Sequence, residues 1–250
     1  MARMERSLLK SYLLRQLQTA RDQLSLIGPE AEMEALHRFR VALRRFRSVL
    51  AAYTHDLYAP DAIVKSMVKL TNRLRETDVF LASIEPSEYP KLHQALTRFR
   101  EKQYKKLWKP ETTERFEQTL DSLIADFDAL KLDPGEKKLI RTGEKLYDTA
   151  KKAHKALTKD TEEEKIHETR LLYKQVRYVL EFLNESGLID AEKKIKKVKT
   201  ALDHFGAIQD AVNQLDWLRR FCSKHSSDEC HALYEARKKA LHLLKKAFKV

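Results

Sequence analysis

The sequence predicts an all-α chain, and three observations carry that prediction. Five Gly and six Pro in 250 residues are few, while Leu, Ala, Lys, Arg and Glu abound, which favours helices joined by short connections. Apolar residues recur at intervals of three and four through nearly every stretch. The segment HRFRVALRRFRSVL, His37 to Leu50, occurs again in degraded form as HETRLLYKQVRYVL, His167 to Leu180. The architecture expected is two pseudo-symmetric four-helix bundles produced by an internal duplication.

Taken in order, Met4 to Leu26 carries Leu8, Leu9, Tyr12, Leu13, Leu17, Ala20 and Leu24 on one face and stops at Gly28-Pro29. Glu30 to Tyr53 is the first signature helix. With Pro60 tolerated in a first turn, Ile63 to Ile84 reads as a third helix, ended by Pro86. Pro90 to Trp108 is the fourth. Pro110 opens an acidic connector helix, Glu111 to Leu130, and Asp133-Pro134-Gly135 is a turn. The plan then restarts with Glu136 to Leu157 and the second signature helix, Glu162 to Glu185, broken by Gly187. Ala191 to Phe221 and Asp228 to Phe248 complete the chain. One domain is therefore expected, built of a first repeat (about 1–109), a connector (about 110–134) and a second repeat (about 135–250).

The repeats align by hand. Gln18 to Leu50 lies on Asp148 to Leu180 without gaps, placing Thr19-Ala20-Arg21 on Thr149-Ala150-Lys151, Glu34 on Glu164 and His37 on His167. Further along, Asp78 in LRETD matches Asp210 in GAIQD, and Lys65 and Lys197 stand thirteen positions before them. Lys105-Lys106-Leu107-Trp108 meets Lys245-Lys246-Ala247-Phe248.

A formal charge of +12 and a pI near 9.5 imply an anionic partner: nucleic acid, an anionic lipid surface or a phosphorylated polymer. The two cysteines, Cys222 and Cys230, form no disulfide framework. No signal-peptide pattern opens the chain, and no apolar run approaches the roughly 20 residues of a membrane span. A soluble cytoplasmic protein without membrane insertion is expected.

In each signature helix the basic positions fall within roughly 80° of one face: His37, Arg40, Arg44 and Arg47 in the first, His167, Arg170, Lys174 and Arg177 in the second. Basic residues at helical spacing usually form an ordinary solvated face, but three features weigh against that here. No acidic residue occurs from Ala35 to His55, so the first row has no local partner. Apart from the histidines, its basic residues are all arginines, whose planar fork suits phosphate oxygens. The positions also persist where the intervening sequence has changed. The second copy is weaker, with Glu168 and Glu181 flanking it, Lys174 in place of an arginine and Gln175 opposite Arg45. A histidine among arginines suits an anion, whose binding would raise its pKa. Neither HETRL nor HRFRV supplies a second metal ligand.

At these residues the sequence resembles the CHAD family, the conserved-histidine α-helical domain. His37, Arg40, Val41, Arg44, Arg45 and Arg47 match its HxxRVxxRRxR pattern; His167, Arg170, Lys174, Arg177, Tyr178 and Glu181 match HxxRxxxKxxRYxxE. Phe205-Gly206-Ala207-Ile208-Gln209-Asp210 resembles its LGxxxD element, and Leu74 replaces the glycine in the first half. The resemblance implies paired four-helix bundles whose basic faces meet at a central groove or pore. It also implies binding of inorganic polyphosphate and association with polyphosphate granules. On that view the phosphate track is lined by His37, Arg40, Arg44, Arg45, Arg47, His167, Arg170, Lys174, Arg177 and Tyr178. Lys65, Arg73, Lys105, Lys197 and Lys245 extend it. A polymer with no bases to read needs only a row of cations, with affinity from counterion release and multivalency.

The rivals are a nucleic-acid-binding helical protein and a metal-dependent phosphohydrolase. The first lacks helix-turn-helix spacing, a zinc finger and an RNP-like aromatic cluster. The second lacks a P-loop and the ExExK pattern of triphosphate tunnel enzymes, so no catalysis and no cofactor are expected. Asp78 and Asp210 could hold a metal, though a single carboxylate per half more often orients an arginine. Cys222, His225, Cys230 and His231 match no standard zinc spacing.

Overall fold

The computed structural model describes residues 7–30, 33–54, 58–158 and 161–247. Among these residues all regular structure is helical: α1 (Leu8–Leu24), α2 (Met33–Tyr53), α3 (Tyr58–Leu70), α4 (Asn72–Ala82), α5 (Pro90–Leu107), α6 (Pro110–Ala129), α7 (Glu136–Lys155), α8 (Glu163–Glu185), α9 (Glu192–Cys222) and α10 (Asp228–Ala247). The expected starts at Met4 and end at Phe248 lie outside the described residues.

The helix ends follow local chemistry. The Ser7 hydroxyl accepts from the Lys10 amide at 3.3 Å and caps α1. Pro90 and Pro110 occupy first turns of α5 and α6, where a missing N–H costs nothing. Gly135 before α7 and Gly187 after α8 have φ of 76° and 70°, backbone that a Cβ would strain. The Asp133 carboxylate accepts from the Gly135 amide at 3.2 Å, fixing the anticipated turn.

The segment expected as one helix from Ile63 to Ile84 is two, with a kink at Thr71 (φ −91°, ψ 0°). The Thr71 hydroxyl turns back onto the carbonyls of Met67 and Val68 at 3.3 and 3.0 Å. From α2 the Arg40 guanidinium reaches into the break and donates to Val68 O, Thr71 Oγ1 and Asn72 Oδ1 at 2.6, 2.6 and 2.8 Å. A side chain inserted into the ladder is a known cause of kinks, and periodicity alone does not reveal it. In the second half α9 runs unbroken through Gly206.

The main apolar core draws on both halves of the chain. Leu9, Leu13, Leu17, Phe39, Leu43 and Phe46 from α1 and α2 pack with Val179, Phe182 and Leu183 of α8. The rings of Tyr12 and Tyr53 lie 4.9 and 5.7 Å from that of Phe182. Each such buried side chain contributes roughly 1.5–3 kcal/mol. Helix α6 does more than connect, since Phe116, Leu120, Leu123 and Phe127 are buried in this core and the helix packs along α1. A second core joins α4 and α5 to α9 and α10 through Phe80, Leu96, Leu218 and Phe221. A third lies among α7, α8 and α9.

Two details tighten this frame. Asp78 is fully buried; it accepts from Arg100 Nε at 2.8 Å and from the Tyr104 hydroxyl at 2.7 Å. Arg100 also donates to the Pro29 carbonyl at 2.6 Å, so one buried ion pair ties α4 and α5 to the α1–α2 turn. Burial, and then the neighbouring Asp78 carboxylate, push the Tyr104 hydroxyl well above its usual pKa. At Gly143, α7 approaches α8 so closely that a Cβ would lie 2.4 Å from Leu183 Cδ1.

Candidate anion-binding groove

The two signature helices cross in direct contact, α2 against α8. Between them, with α9 along one side, lies an open groove of about 990 Å³. Seven basic side chains line it, Arg44, Arg45, Arg47, Arg170, Lys174, Arg177 and Lys199, against four carboxylates, Asp61, Glu181, Asp203 and Asp210. His37 and Tyr178, also expected on the track, line it as well.

Their partners differ. Arg47 grips Asp61 through two bonds, at 2.7 and 3.1 Å. Glu181, 11% exposed, gathers Arg45 at 3.2 Å, Arg177 at 3.5 Å and Lys199 at 4.0 Å. Arg170 meets Asp210 at 3.5 Å, a loose contact with a mostly solvated carboxylate. Among the described residues, Arg44 and Lys174 have no carboxylate within ion-pair distance. The Nε atoms of Arg44, Arg45, Arg170 and Arg177 are buried, so packing holds the stems and fixes where the heads stand.

The charges are crowded enough to disturb one another. Lys174 is open to water yet sunk among the groove walls; burial first, then Arg170 and Arg44, push its pKa down to about 8. His37 is likewise lowered, by burial and then by Arg75, with Arg44 and Arg40 adding to it. The groove thus holds more positive charge than its carboxylates neutralise.

Several expected positions fall elsewhere. Arg40 does not offer its head to the groove: it is 7% exposed and committed to the α3–α4 kink, with burial, Arg44 and Arg75 pushing its pKa down to about 10. The reason is that α3 and α4 cover its part of α2. His167 is exposed near the start of α8, outside the groove. Lys65, Lys105 and Lys197 are exposed and line no part of it, and Arg73 borders a different hollow. The side chain of Lys245 lies outside the described residues. Of the two aspartates, Asp78 orients Arg100 in the core and Asp210 meets Arg170 at the groove.

Lys199 was not singled out by sequence. Its signal was the stripe Lys199, Asp203, Gly206, Asp210, spaced four, three and four along α9, which shares the phase of Asp210 where Lys197 does not. Arg75, half-buried beside Arg40, was missed too; burial lowers its pKa, opposed by Asp78 and reinforced by Arg44.

Cys222 and Cys230, expected to stay apart from any disulfide framework, are joined to each other across the α9–α10 turn. In this pairing neither sulfur is a thiolate. Among the described residues no group of three or more His, Cys, Asp or Glu is placed to hold a metal ion. Nor is any described helix long and apolar enough to cross a membrane.

Fold and groove together define a helical scaffold that holds unneutralised cations at fixed positions. The CHAD domain family model matches residues 11–219, and the chain belongs to that family. It is similar in structure to the CHAD domain from the plant Ricinus communis, known from a crystal structure. The TM-score is 0.72 and the identity 20%, over 96% of this chain and 84% of that one; the likeness shows the fold. No curated protein matches the chain.

Proposed function

We propose that the groove binds inorganic polyphosphate without catalysing its breakdown, and that the protein works in the cytoplasm at polyphosphate granules. The observation that carries the reading is the pairing of Arg44 on α2 with Lys174 on α8. Two cations that, among the described residues, have no carboxylate partner are held in one groove at matching positions of the two signature helices. A linear phosphate polymer supplies a regular row of oxygens to such a lane, and each cation it neutralises releases counterions. The family to which the chain belongs, and its resemblance to that family's basic motifs, support the choice of polymer. Absence of catalysis rests on the lack of a recognisable P-loop or tunnel-enzyme carboxylate set in the sequence.

The deciding measurement is long-chain polyphosphate binding by wild type and by Arg44→Ala/Lys174→Ala over a salt series. The double variant should bind at least tenfold more weakly, with a log–log salt slope shallower by about one to two. An unchanged slope overturns the proposal. Displacement of polyphosphate by a short duplex or oligoribonucleotide at equal phosphate concentration would favour nucleic acid instead. Phosphate release on adding Mg²⁺ or Mn²⁺ would make the protein an enzyme.

A further inference from the structure

Beyond the groove, at the junction of α4, α5 and the α9–α10 turn, lies a second hollow of about 590 Å³ with different chemistry. The groove is walled by guanidinium groups and carboxylates, whereas this hollow has an aromatic wall. Phe80, Trp217, Phe221 and His225 form a column of near-parallel rings, with successive centroids 4.3, 5.3 and 4.6 Å apart and interplanar angles of 30°, 11° and 26°. Trp217, Phe221 and His225 are spaced four apart, so they rise along one face of α9 and past its end. Phe99 crosses the column edge-on, 5.4 Å from Phe221 and 6.2 Å from His225. The column starts in the buried core at Phe80 and ends at His225, which is exposed.

Around that exposed end stand cations. Lys69, Arg73 and Lys224 line the hollow and, among the described residues, have no carboxylate within ion-pair distance. Arg220 lines it as well but is held by Asp216 at 3.1 Å, and Glu76 is the hollow's own carboxylate. Lys224 and His225 sit on the short loop closed by the Cys222–Cys230 disulfide. Their amides both donate to the Phe221 carbonyl at 3.0 Å, and Cys230 Sγ contacts the His225 carbonyl at 3.5 Å. The loop is tied by these backbone hydrogen bonds whether or not the disulfide is formed, so the terminal ring is held in place before anything binds.

We propose that this hollow is a binding site for a nucleoside polyphosphate, with the base stacked on His225 at the end of the ring column and the phosphates held by Lys69, Arg73 and Lys224. An aromatic face beside unpaired cations matches a ligand that has one flat ring system and one chain of charge; a bare phosphate polymer uses only the second half. Base stacking on an exposed ring is worth roughly tenfold in affinity. The site shares neither Arg44 nor Lys174 with the groove, so it stands or falls separately from polyphosphate binding.

Calorimetric titration of the full chain with ATP and with tripolyphosphate tests it. Wild type should bind ATP roughly tenfold more tightly than tripolyphosphate. His225→Ala should remove that advantage, and His225→Phe, which keeps a ring, should restore it. Lys69→Ala/Arg73→Ala/Lys224→Ala should weaken ATP binding at least tenfold, leaving only the affinity of the bare triphosphate for the groove, while Arg44→Ala/Lys174→Ala leaves ATP binding within twofold. Absence of ATP binding by wild type, equal affinity of His225→Ala and wild type for ATP, or loss of ATP binding in the groove variant would each overturn the assignment.

Discussion

Arg40 separates a structural from a ligand-binding arginine within a single sequence motif. Replacing it with alanine removes three charge-assisted hydrogen bonds, at 2.6, 2.6 and 2.8 Å, that hold the α3–α4 kink against α2. Bonds of this kind contribute about 1.5–3 kcal/mol each when taken singly. The sum overstates the loss, because among the described residues the nearly buried guanidinium has no carboxylate at ion-pair distance and its Nε has no partner. The acceptors also keep other contacts: Val68 O still receives the Thr71 hydroxyl at 3.0 Å. A net destabilisation of about 2–4 kcal/mol results. With a urea slope of about 3 kcal/mol/M for a chain of this size, the unfolding midpoint should fall by roughly 1 M with the slope unchanged. Below that transition the folded variant should bind polyphosphate within about twofold of wild type. A variant that unfolds at the wild-type midpoint but loses tenfold or more in polyphosphate affinity would refute this assignment and return Arg40 to the ligand.

Binding should depend on pH through Lys174, whose pKa stands at about 8 in the free protein and is raised by a bound polyanion. Polyphosphate affinity is then full below pH 8 and falls as pH rises beyond it; Lys174→Arg, charged throughout, should flatten the profile between pH 7 and 10. His37 acts at the acid end: lowered in the free protein by burial and Arg75 and raised by the ligand, it should strengthen binding as pH falls, a gain absent in His37→Ala. Asp78→Asn turns the buried carboxylate that accepts from Arg100 Nε and the Tyr104 hydroxyl into a neutral amide, and chemical denaturation should show a loss of about 1–3 kcal/mol. Gly143→Ala drives a methyl into Leu183; an overpacking cost of about 1–3 kcal/mol, offset by up to about 1 kcal/mol of helix propensity, leaves it less stable in the same assay.

The fold class and most helix boundaries were legible because apolar spacing and Pro or Gly stops are local signals. Glu136 to Leu157 and Pro90 to Trp108 were read within two residues of the helices found. The groove's two walls were legible for a related reason: each basic row lies opposite its own helix's apolar stripe, so once the stripes of α2 and α8 share a core, the rows come to one surface. The kink at Thr71 was not legible, because its cause is a guanidinium from a helix about 30 positions away.

By itself, then, the sequence determined that this protein is a bundle of amphipathic helices with two related cationic stripes, since period and residue type are carried in the chain. Tertiary structure alone decided which cations remain available. Arg40 was covered by α3 and α4, Arg47 was matched to Asp61, and Glu181 was set between Arg45, Arg177 and Lys199, while Arg44 and Lys174 were left facing one groove. The physical reason is that a side chain's charge is written in its identity, but its neutralisation depends on neighbours brought from distant helices.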